Sequence, residues 1–434
     1  MDYKNLIVAL NCATLFFRYI RGGKLFMARS SKKQFDMSDL NTIDLGKEMG
    51  LTILSDTNKA DIKNILPTRV PQYDRIMGGG IPLGRLTEVY GVPGSGKSTF
   101  AVHLTKTLID LGIITVWVDT EGTADNARME QLGVDITKIF SIQAGEGQRL
   151  KNIVELSIEQ VGKELEHWVD AFNEKYPGVP IVFIWDSLGA TRSQTEIDGG
   201  IDTKQIGIRA SATQKVINAI TPKLNNTNTG IIVVNQARDD LDAGQYGDKV
   251  KSGGGKAFEH SASLRLKVNK GAQIKQHKDT AGKEEYSGHS MRLETKKSKL
   301  SRPNQRASAD LLSEWNLSTG EVINGLDPEY TIYQEAVEKG FITKGAWRNY
   351  VTLNGEEIKL RDAEWTPRLK EDTELFEELF KRTYVANFPN GYAPLKNKDV
   401  DITTIPEYKT LKEYYDELEK EKPKEETKEE KEDQ

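Results

Sequence analysis

Gly91-Val92-Pro93-Gly94-Ser95-Gly96-Lys97-Ser98 is the stretch of this 434-residue sequence that decides its fold. It matches the eight-residue phosphate-binding loop, or P-loop, in full. An apolar run suited to a β-strand, 86–90, precedes it, and a segment with helical patterning, 98–111, follows it. A glycine turn that arose by chance is the alternative, but the correct flank on each side disfavours it.

The spacing of this loop follows from the chemistry of phosphate. Glycines let the backbone curl around the anion, so that successive N–H groups point at its oxygens. The positive end of the following helix adds to the attraction. We therefore expect the run 91–98, together with Thr99, to hold the phosphates of ATP. Lys97 is expected to reach the terminal phosphates, and the Ser98 hydroxyl is expected to ligate Mg²⁺.

Apolar runs alternate with amphipathic segments from residue 67 onward. Nearly continuous apolar strands separated by helices are typical of a parallel sheet covered on both faces. The fold class predicted from this pattern is α/β, with a mainly parallel sheet and helices on both faces. The strand candidates are 86–90, 113–119, 181–186 and 230–235, and the helix candidates are 98–111, 150–175 and 209–224.

Polar side chains follow three of the strand candidates. Asp186 ends the run 181–186, where a second Mg²⁺ ligand is expected, although a helix-capping aspartate is the plain alternative. Glu121 follows 113–119 and could orient and deprotonate the attacking water, but a solvated loop carboxylate fits the chemistry equally well. Gln236 follows 230–235, where an uncharged amide can contact the γ-phosphate. Because the carboxyl ends of parallel strands face the nucleotide crevice, all three are expected near the P-loop.

The charge of the chain is spread unevenly. The formal net charge is −5, and the segment from Glu407 to the C-terminus, with twelve Asp or Glu and seven Lys, carries −5 by itself. The rest is near neutral, so a nucleic-acid surface must be a local basic strip or loop. The single cysteine, Cys12, excludes an internal disulfide framework and a cysteine-based zinc module, which is typical of a protein in a reducing interior.

Composition also divides the chain into predicted segments. Residues 1–26 contain an apolar run, 6–17, that is too short to cross a bilayer as a helix. We interpret residues 1–26 either as a segment that precedes the true translation start at Met27 or as a disordered extension. The glycine-rich stretch 237–256 is expected to be a functional or disordered loop. The remaining predicted segments are an N-terminal segment for subunit packing (27–66), an ATPase core (67–330), a small C-terminal domain (331–387), and a linker with a disordered acidic tail (388–434).

The order of these motifs resembles the RecA family of DNA recombinases. The resemblance covers about 66–384 and leans towards bacterial RecA and phage UvsX-like proteins. It implies a RecA-like P-loop core followed by a small C-terminal α/β domain, with ATP and Mg²⁺ bound between subunits. It is carried by Gly78-Gly-Gly-Ile-Pro-Leu-Gly84-Arg, Glu88-Val-Tyr-Gly91, the P-loop, Asp119-Thr-Glu121, Leu132-Gly-Val-Asp135, Trp185-Asp186-Ser187, Asn235-Gln236 and Gly345-Ala-Trp-Arg-Asn-Tyr350.

The resemblance implies roles for individual residues. Glu121 falls on the catalytic glutamate, and Asp125 on the acid that touches the adenine. Gln236 falls on the switch glutamine that links the γ-phosphate to the second DNA loop. Lys297 and Lys299 fall on lysines that reach ATP bound to the adjacent subunit; without the family, they would be part of a solvated basic strand end.

Two loops resemble the DNA-binding loops of the family. Ile206, in the first loop (196–207), and Leu241, in the second (238–255), match apolar wedges, and Tyr246 matches an aromatic. Apolar side chains that insert between successive bases disrupt their stacking and hold the strand in an extended form. Ordinary packing within the loop is the alternative. The remaining predicted DNA contacts are Arg209, Arg238, Gly254 and Gly255.

Two features depart from the family pattern. Arg128 occupies the position of a tyrosine that stacks on adenine, so the base must be held differently or through a cation–π contact. The second loop carries several aspartates, which are unusual beside phosphates: Asp239, Asp240, Asp242 and Asp248.

The function implied by the resemblance is ATP-dependent DNA strand exchange. Helical filaments would form on single-stranded DNA, engage homologous duplex DNA and hydrolyse ATP in a DNA-dependent manner. The expected location is the cytoplasm, or the host cytoplasm if the gene is phage-encoded, with no membrane partner. A hexameric helicase with the same core and a non-catalytic filament accessory protein that binds ATP and DNA are the two alternatives.

Overall fold

The structure, a computed structural model, describes residues 62, 64–122, 125–199, 207–239, 250–277 and 284–387. The predicted segments 1–26 and 388–434, and nearly all of 27–66, lie outside these residues. Helices are α1 (Pro71–Met77), α2 (Lys97–Asp110), α3 (Asn126–Gln131), α4 (Gly147–Leu150), α5 (Ile158–Lys175), α6 (Gln194–Asp198), α7 (Ile208–Leu224), α8 (Ala257–Ser261), α9 (Pro328–Glu338), α10 (Asp362–Glu371) and α11 (Thr373–Asn387). Strands are β1 (Ile65–Leu66), β2 (Ile81–Pro82), β3 (Leu86–Gly91), β4 (Ile114–Asp119), β5 (Ile139–Ile142), β6 (Ile181–Asp186), β7 (Thr229–Asp239), β8 (Val250–Ser252), β9 (Leu264–His277), β10 (Glu284–Ser298), β11 (Arg306–Asn316), β12 (Val322–Gly325), β13 (Arg348–Val351) and β14 (Glu357–Leu360).

One large sheet organises the described residues. Its strand order is β12-β11-β10-β9-β3-β7-β6-β4-β5. The six strands from β9 to β5 are parallel to their neighbours. The strands β10, β11 and β12 extend the sheet with antiparallel pairing. The sheet is therefore mainly parallel, as the alternating pattern predicts.

Helices cover both faces of the parallel part. On one face, Val89 of β3 belongs to a buried cluster with Phe100 and Leu104 of α2. On the other face, Phe183 of β6 belongs to a second buried cluster, with residues of α5 and α7 such as Leu165. The predicted α/β class with helices on both faces is confirmed. Within the described part of the chain, no helix combines the length and the apolar character needed to cross a bilayer.

The helix predicted over 150–175 is wrong in its first turns. Helix α4 ends at Leu150, and α5 begins only after Ser157. The Ser157 hydroxyl accepts the N–H of Gln160, and the Gln160 side chain accepts the N–H of Ser157. This reciprocal capping box satisfies two backbone donors that a continuous helix would use elsewhere. The sequence contains the signal, Ser157-Ile-Glu-Gln160, and it outweighs the helical periodicity.

The glycine-rich stretch 237–256 is not loop throughout. Strand β7 runs on to Asp239, and β8 pairs with it in antiparallel register, with Arg238 opposite Lys251. The ends of the predicted second DNA loop are therefore held by a short two-stranded ladder next to the sheet. Residues 240–249 between the two strands lie outside the described residues.

The C-terminal part of the described chain has its own hydrophobic core. Tyr333 of α9 stacks on Trp365 of α10, with ring centroids 6.0 Å apart, and both belong to a cluster that includes Tyr350 of the β13–β14 hairpin. Helix α9 begins at Pro328, after the capping residue Asp327. This unit of three helices and a hairpin is small and α/β. Its predicted boundary at residue 331 stays a prediction.

A buried carboxylate joins the last helix to the first. Asp74 of α1 is fully buried and accepts the N–H and the hydroxyl of Thr68, each at 2.8 Å. The hydroxyl of Tyr384, on α11, also donates to Asp74. The backbone oxygen of Thr68 in turn lies 2.8 Å from Nε2 of His103, on α2. A chain of polar contacts therefore connects α11, α1 and the helix that follows the P-loop.

Candidate nucleotide-binding site

The P-loop leaves the carboxyl end of β3 and leads into α2. Gly94 and Gly96 have φ angles of 70° and 98°, a region that other residues adopt only with strain. Among the residues that the structure describes, no side chain caps the N-terminus of α2. The first N–H groups of this 14-residue helix are therefore open to an anion, and the helix dipole favours one there.

Lys97 lies across the loop. Its Nζ donates to the backbone oxygen of Val92 at 3.0 Å, and the residue is 8% exposed. Burial lowers the pKa of Lys97, while the nearby carboxylates of Asp186 and Glu121 act in the opposite direction. An ATP phosphate at this place would give the ammonium group a charged partner in exchange for a carbonyl oxygen.

Asp186 ends β6 beside the start of α2. Burial raises the pKa of Asp186 to about 6, and a hydrogen bond from the Ser98 side chain lowers it. The carboxylates of Glu121 and Asp119 contribute to the increase. A hydroxyl and a carboxylate in contact, close to further carboxylates, are the oxygen ligands that Mg²⁺ prefers. The residues present thus fit the predicted metal, and a bound cation would favour the ionised form of Asp186.

Glu121 stands at the same edge of the sheet. Strands β4 and β6 are paired so that Asp119 is opposite Asp186. The Asp119 carboxylate accepts the N–H groups of Glu121 at 3.1 Å and of Gly122 at 2.8 Å, which fixes the turn after β4. The Glu121 carboxylate accepts the hydroxyl of Ser187. The predicted general base is therefore held next to the predicted metal ligand.

Gln236 lies on β7, where it is paired with Gly91 of β3. Gly189 packs tightly against it: a Cβ added at Gly189 would lie 2.7 Å from Cβ of Gln236. The backbone oxygen of Gln236 accepts the N–H of Gly253 at 3.0 Å. The backbone of Gln236 therefore lies beside the P-loop strand, and it also holds the returning end of the predicted second DNA loop.

A buried ion pair next to this glutamine was not predicted. Glu88 of β3 is 0% exposed, and its carboxylate accepts Nε of Arg265 at 2.7 Å and the amide of Asn235 at 2.9 Å. Arg265 also donates to the Ser252 hydroxyl at 2.9 Å, and Asn235 donates to the Gly253 oxygen at 2.9 Å. Burial raises the pKa of Glu88, and Arg265 lowers it. An acid inside an apolar strand was the signal in the sequence.

Lys297 lies far from the P-loop of its own chain. On β10, Met291 lies beneath the loop, since its Sδ would be 3.1 Å from a Cβ on Gly96. Lys297 is six residues further along, about 20 Å at the rise of a strand. Its Nζ donates to the backbone oxygens of Glu259 and His260, at 2.6 and 2.9 Å, at the end of α8. Burial lowers the pKa of Lys297, and the neighbouring charge of Lys299 contributes.

The residues predicted to hold the adenine lie on a short exposed helix. Asp125 caps α3 and accepts the N–H of Ala127 at 2.9 Å. Arg128 is exposed, and its guanidinium lies 3.4 Å from the side-chain oxygen of Gln131. Both side chains are accessible to a base, and their roles stay predictions.

The predicted DNA contacts are only partly described. Ile206, Leu241 and Tyr246 lie outside the described residues. Arg238 is exposed at the end of β7. Arg209, near the start of α7, forms an ion pair with Glu196 at 2.7 Å and donates to the Gly189 oxygen at 3.3 Å. Gly254 and Gly255, with φ angles of 81° and 73°, lead from β8 towards α8.

The loop between β3 and α2, with the acid that ends β6, defines a P-loop nucleotide-binding protein of the α/β class. A family model, described as the RecA N-terminal domain, matches residues 37–318. The chain therefore belongs to the RecA family, and it is a RecA-type recombinase of DNA recombination and repair.

Several curated relatives agree with this assignment. Protein RecA of Thermotoga neapolitana is 27% identical over 336 residues, which cover 76% of this chain and 86% of the relative. Protein RecA of Petrotoga mobilis is 28% identical over 298 residues, 68% of this chain and 72% of the relative. Protein RecA of Mycoplasmopsis pulmonis is 27% identical over 305 residues, 70% of this chain and 79% of the relative. The recognition of the RecA family from the motifs is thus confirmed.

Proposed function

We propose that this chain hydrolyses ATP in a DNA-dependent reaction and exchanges DNA strands as a helical filament on single-stranded DNA. The observation that carries the proposal is the grouping at one sheet edge of Lys97, Asp186 and Glu121 with Gln236, whose strand leads directly into the second loop. ATP and Mg²⁺ are the proposed cofactors, and single-stranded and duplex DNA are the proposed partners. The proposed location is the cytoplasm.

The proposed chemistry starts at the P-loop. The N–H groups of residues 91–98 and the ammonium group of Lys97 bind the terminal phosphates of ATP. Ser98 and Asp186 would hold Mg²⁺, which neutralises negative charge on the phosphates when bound. Glu121 then orients a water molecule and accepts its proton as it attacks the γ-phosphate. The Ser187 hydroxyl, which contacts Glu121, keeps that carboxylate at the site.

Contacts around Gln236 support the link between nucleotide and DNA. A γ-phosphate contact that moves Gln236 would also move the backbone oxygen that accepts the N–H of Gly253. Asn235 and the buried Glu88–Arg265 pair hold the same segment, at Gly253 and at Ser252. The second loop would therefore change its arrangement with the state of the nucleotide, and its apolar side chains would then enter the stretched DNA strand.

The position of the distal lysines, Lys297 and Lys299, supports assembly. Lys297 is about 20 Å along β10 from the part of the strand beneath the P-loop, so it cannot serve the nucleotide of its own chain. In a head-to-tail array each subunit offers its lysines to the next P-loop, and such an interface builds helical filaments when it does not close into a ring. Hydrolysis would then require assembly.

Mixing two defective variants tests the shared site. Lys97→Ala removes the P-loop ammonium, and the double variant Lys297→Ala/Lys299→Ala removes the distal lysines. Each alone should lose DNA-stimulated ATP hydrolysis. In a 1:1 mixture an intact P-loop meets intact lysines at about one interface in four, if subunits of a head-to-tail array mix at random. The mixture should therefore recover about a quarter of wild-type activity.

A mixture that hydrolyses no more ATP than the separate variants would contradict the shared site. Electron microscopy on single-stranded DNA with a non-hydrolysable ATP analogue then tests the assembly. Helical filaments are expected. Closed rings would favour a hexameric helicase, and filaments of a wild-type protein without any ATP hydrolysis would favour a non-catalytic accessory protein.

A further inference from the structure

One buried histidine next to the P-loop has no part in the mechanism above. His289 lies on β10, is 7% exposed and stands opposite Leu311 of β11. Met291, two residues along β10, and Leu311 both approach the loop, because a Cβ on Gly96 would lie 3.1 Å from the side chain of each. The imidazole is thus built into the floor beneath the phosphate-binding backbone.

The two ring nitrogens of His289 differ in their partners. Nδ1 lies 3.0 Å from the hydroxyl of Tyr286, and a lysine, Lys270, sits over the tyrosine ring at 5.6 Å. Nε2 is buried and forms no hydrogen bond with any described residue. Burial lowers the pKa of His289, as does the charge of Lys270, so the ring is neutral near pH 7. When Tyr286 donates to Nδ1, the single proton of the neutral ring is on Nε2.

The free nitrogen has a neighbour in the P-loop. The backbone of Ser95 is near enough to raise the pKa of His289, although Nε2 does not complete a hydrogen bond with it. Ser95 is completely buried, its N–H donates to the Val92 oxygen at 3.3 Å, and its hydroxyl has no partner among the described residues. A backbone group that raises the pKa of an imidazole does so by accepting its proton. The Ser95 backbone oxygen is therefore the acceptor that the Nε2 proton can reach.

Peptide geometry gives this contact a consequence for phosphate. The oxygen of Ser95 and the N–H of Gly96 belong to one planar trans peptide, so they point in opposite directions. A donor that holds the oxygen towards β10 turns the Gly96 N–H away from the sheet and towards the nucleotide. Phosphate binding in this motif depends on such convergent N–H groups.

We infer that His289 is a positioning residue for the P-loop: its Nε2 proton engages the Ser95 oxygen when a nucleotide binds and aims the Gly96 N–H at a phosphate. This inference rests on the proposed ATP site. Hydrogen bonds of a catalytic site commonly tighten only when the ligand is bound, which agrees with the incomplete contact between Nε2 of His289 and the Ser95 oxygen.

Substitution of the ring separates positioning from packing. His289→Phe keeps an aromatic ring and removes both nitrogens, whereas His289→Gln keeps an N–H donor. The measurements are the Kd of a fluorescent ATP analogue with Mg²⁺, and KM and kcat for DNA-stimulated ATP hydrolysis. His289→Phe should raise Kd and KM about two- to tenfold, the range expected for one neutral hydrogen bond, with a smaller change in kcat. His289→Gln should recover most of the affinity.

Three further variants make the result decisive. His167→Phe is the matched control, since His167 is exposed on α5 against Trp168, and its Kd should be that of the wild type. Tyr286→Phe removes the hydrogen-bond partner of Nδ1 without altering the P-loop, and it should also raise Kd. It therefore tests the inference even if His289→Phe folds poorly. Lys97→Ala should abolish binding whether or not the inference holds.

The outcomes keep the two claims apart. Wild-type affinity in His289→Phe and Tyr286→Phe, with binding lost in Lys97→Ala, would overturn the role of His289 and leave the ATP site intact. Equal weakening by His289→Phe and His289→Gln would also overturn it, because packing alone would then explain the loss. Retained binding in Lys97→Ala would instead contradict the proposed site.

Discussion

Replacing Asp74 by asparagine should flatten the pH dependence of unfolding. Asp74 is completely buried between α1 and α11. Burial raises the pKa of Asp74 from 3.8 to about 7, and the hydrogen bonds from Tyr384 and Thr68 only partly offset this. Asparagine keeps an oxygen for the Thr68 donors, and its amide can donate to the Tyr384 oxygen, so the variant retains the contacts without the charge.

The sign and size follow from proton linkage. The pKa of Asp74 is higher in the folded state, so the folded protein holds an extra proton between about pH 4 and pH 7. The resulting stabilisation is complete below about pH 4 and is lost as the pH rises through about 7. At 1.36 kcal/mol per pKa unit, a difference of about three units amounts to ~4 kcal/mol, of which ~1 kcal/mol is lost between pH 6 and pH 8.

Urea unfolding at pH 6, 7 and 8 measures this effect. The unfolding free energy of Asp74→Asn should rise relative to the wild type by ~1 kcal/mol between pH 6 and pH 8. Asp170→Asn is the control, since Asp170 is an exposed carboxylate paired with Lys223 and its removal should give no such trend. A difference between Asp74→Asn and wild type that stays constant with pH would refute the reasoning.

Two further predictions concern the site. Glu121→Gln should keep ATP affinity and slow hydrolysis about 10²-fold or more, because the amide cannot accept the proton of the attacking water; a normal single-turnover rate would assign the base elsewhere. Gly189→Ala places a Cβ 2.7 Å from Gln236, so DNA stimulation of hydrolysis should fall several-fold at unchanged ATP affinity. Equal stimulation in Gly189→Ala and wild type would show that Gln236 does not need its present position.

Features encoded in adjacent residues could be predicted from the sequence. The run 91–98 carries its own chemistry, and its flanks identify β3 and α2. The strand candidate 181–186 coincides with β6. A short, continuous apolar run is typical of a parallel strand that is buried on both faces. Once these strands are parallel, their carboxyl ends share one edge, which brings Glu121 and Asp186 to the P-loop.

Features that depend on distant partners could not be predicted. Glu88 and Arg265 are 177 positions apart. Nothing in the sequence around either residue indicates that the two form an ion pair. The nearness of His289 to Ser95 depends on the antiparallel extension of the sheet by β10, which no local pattern reveals. The break before α5 is different, since its capping box is local and periodicity concealed it.

The bond between Tyr384 and Asp74 spans 310 positions of the chain. A ribosome synthesises Asp74 early, and its tyrosine donor emerges only when almost all described residues have been made. Until then, α1 lacks the helix that packs over its carboxylate, and the polar contacts that lead on to α2 lack their last member. Domains generally acquire structure as they emerge, but this core reaches its final stability only after α11 has arrived. A chain that ends before residue 384 should therefore retain its P-loop but be degraded by proteases faster than the full chain.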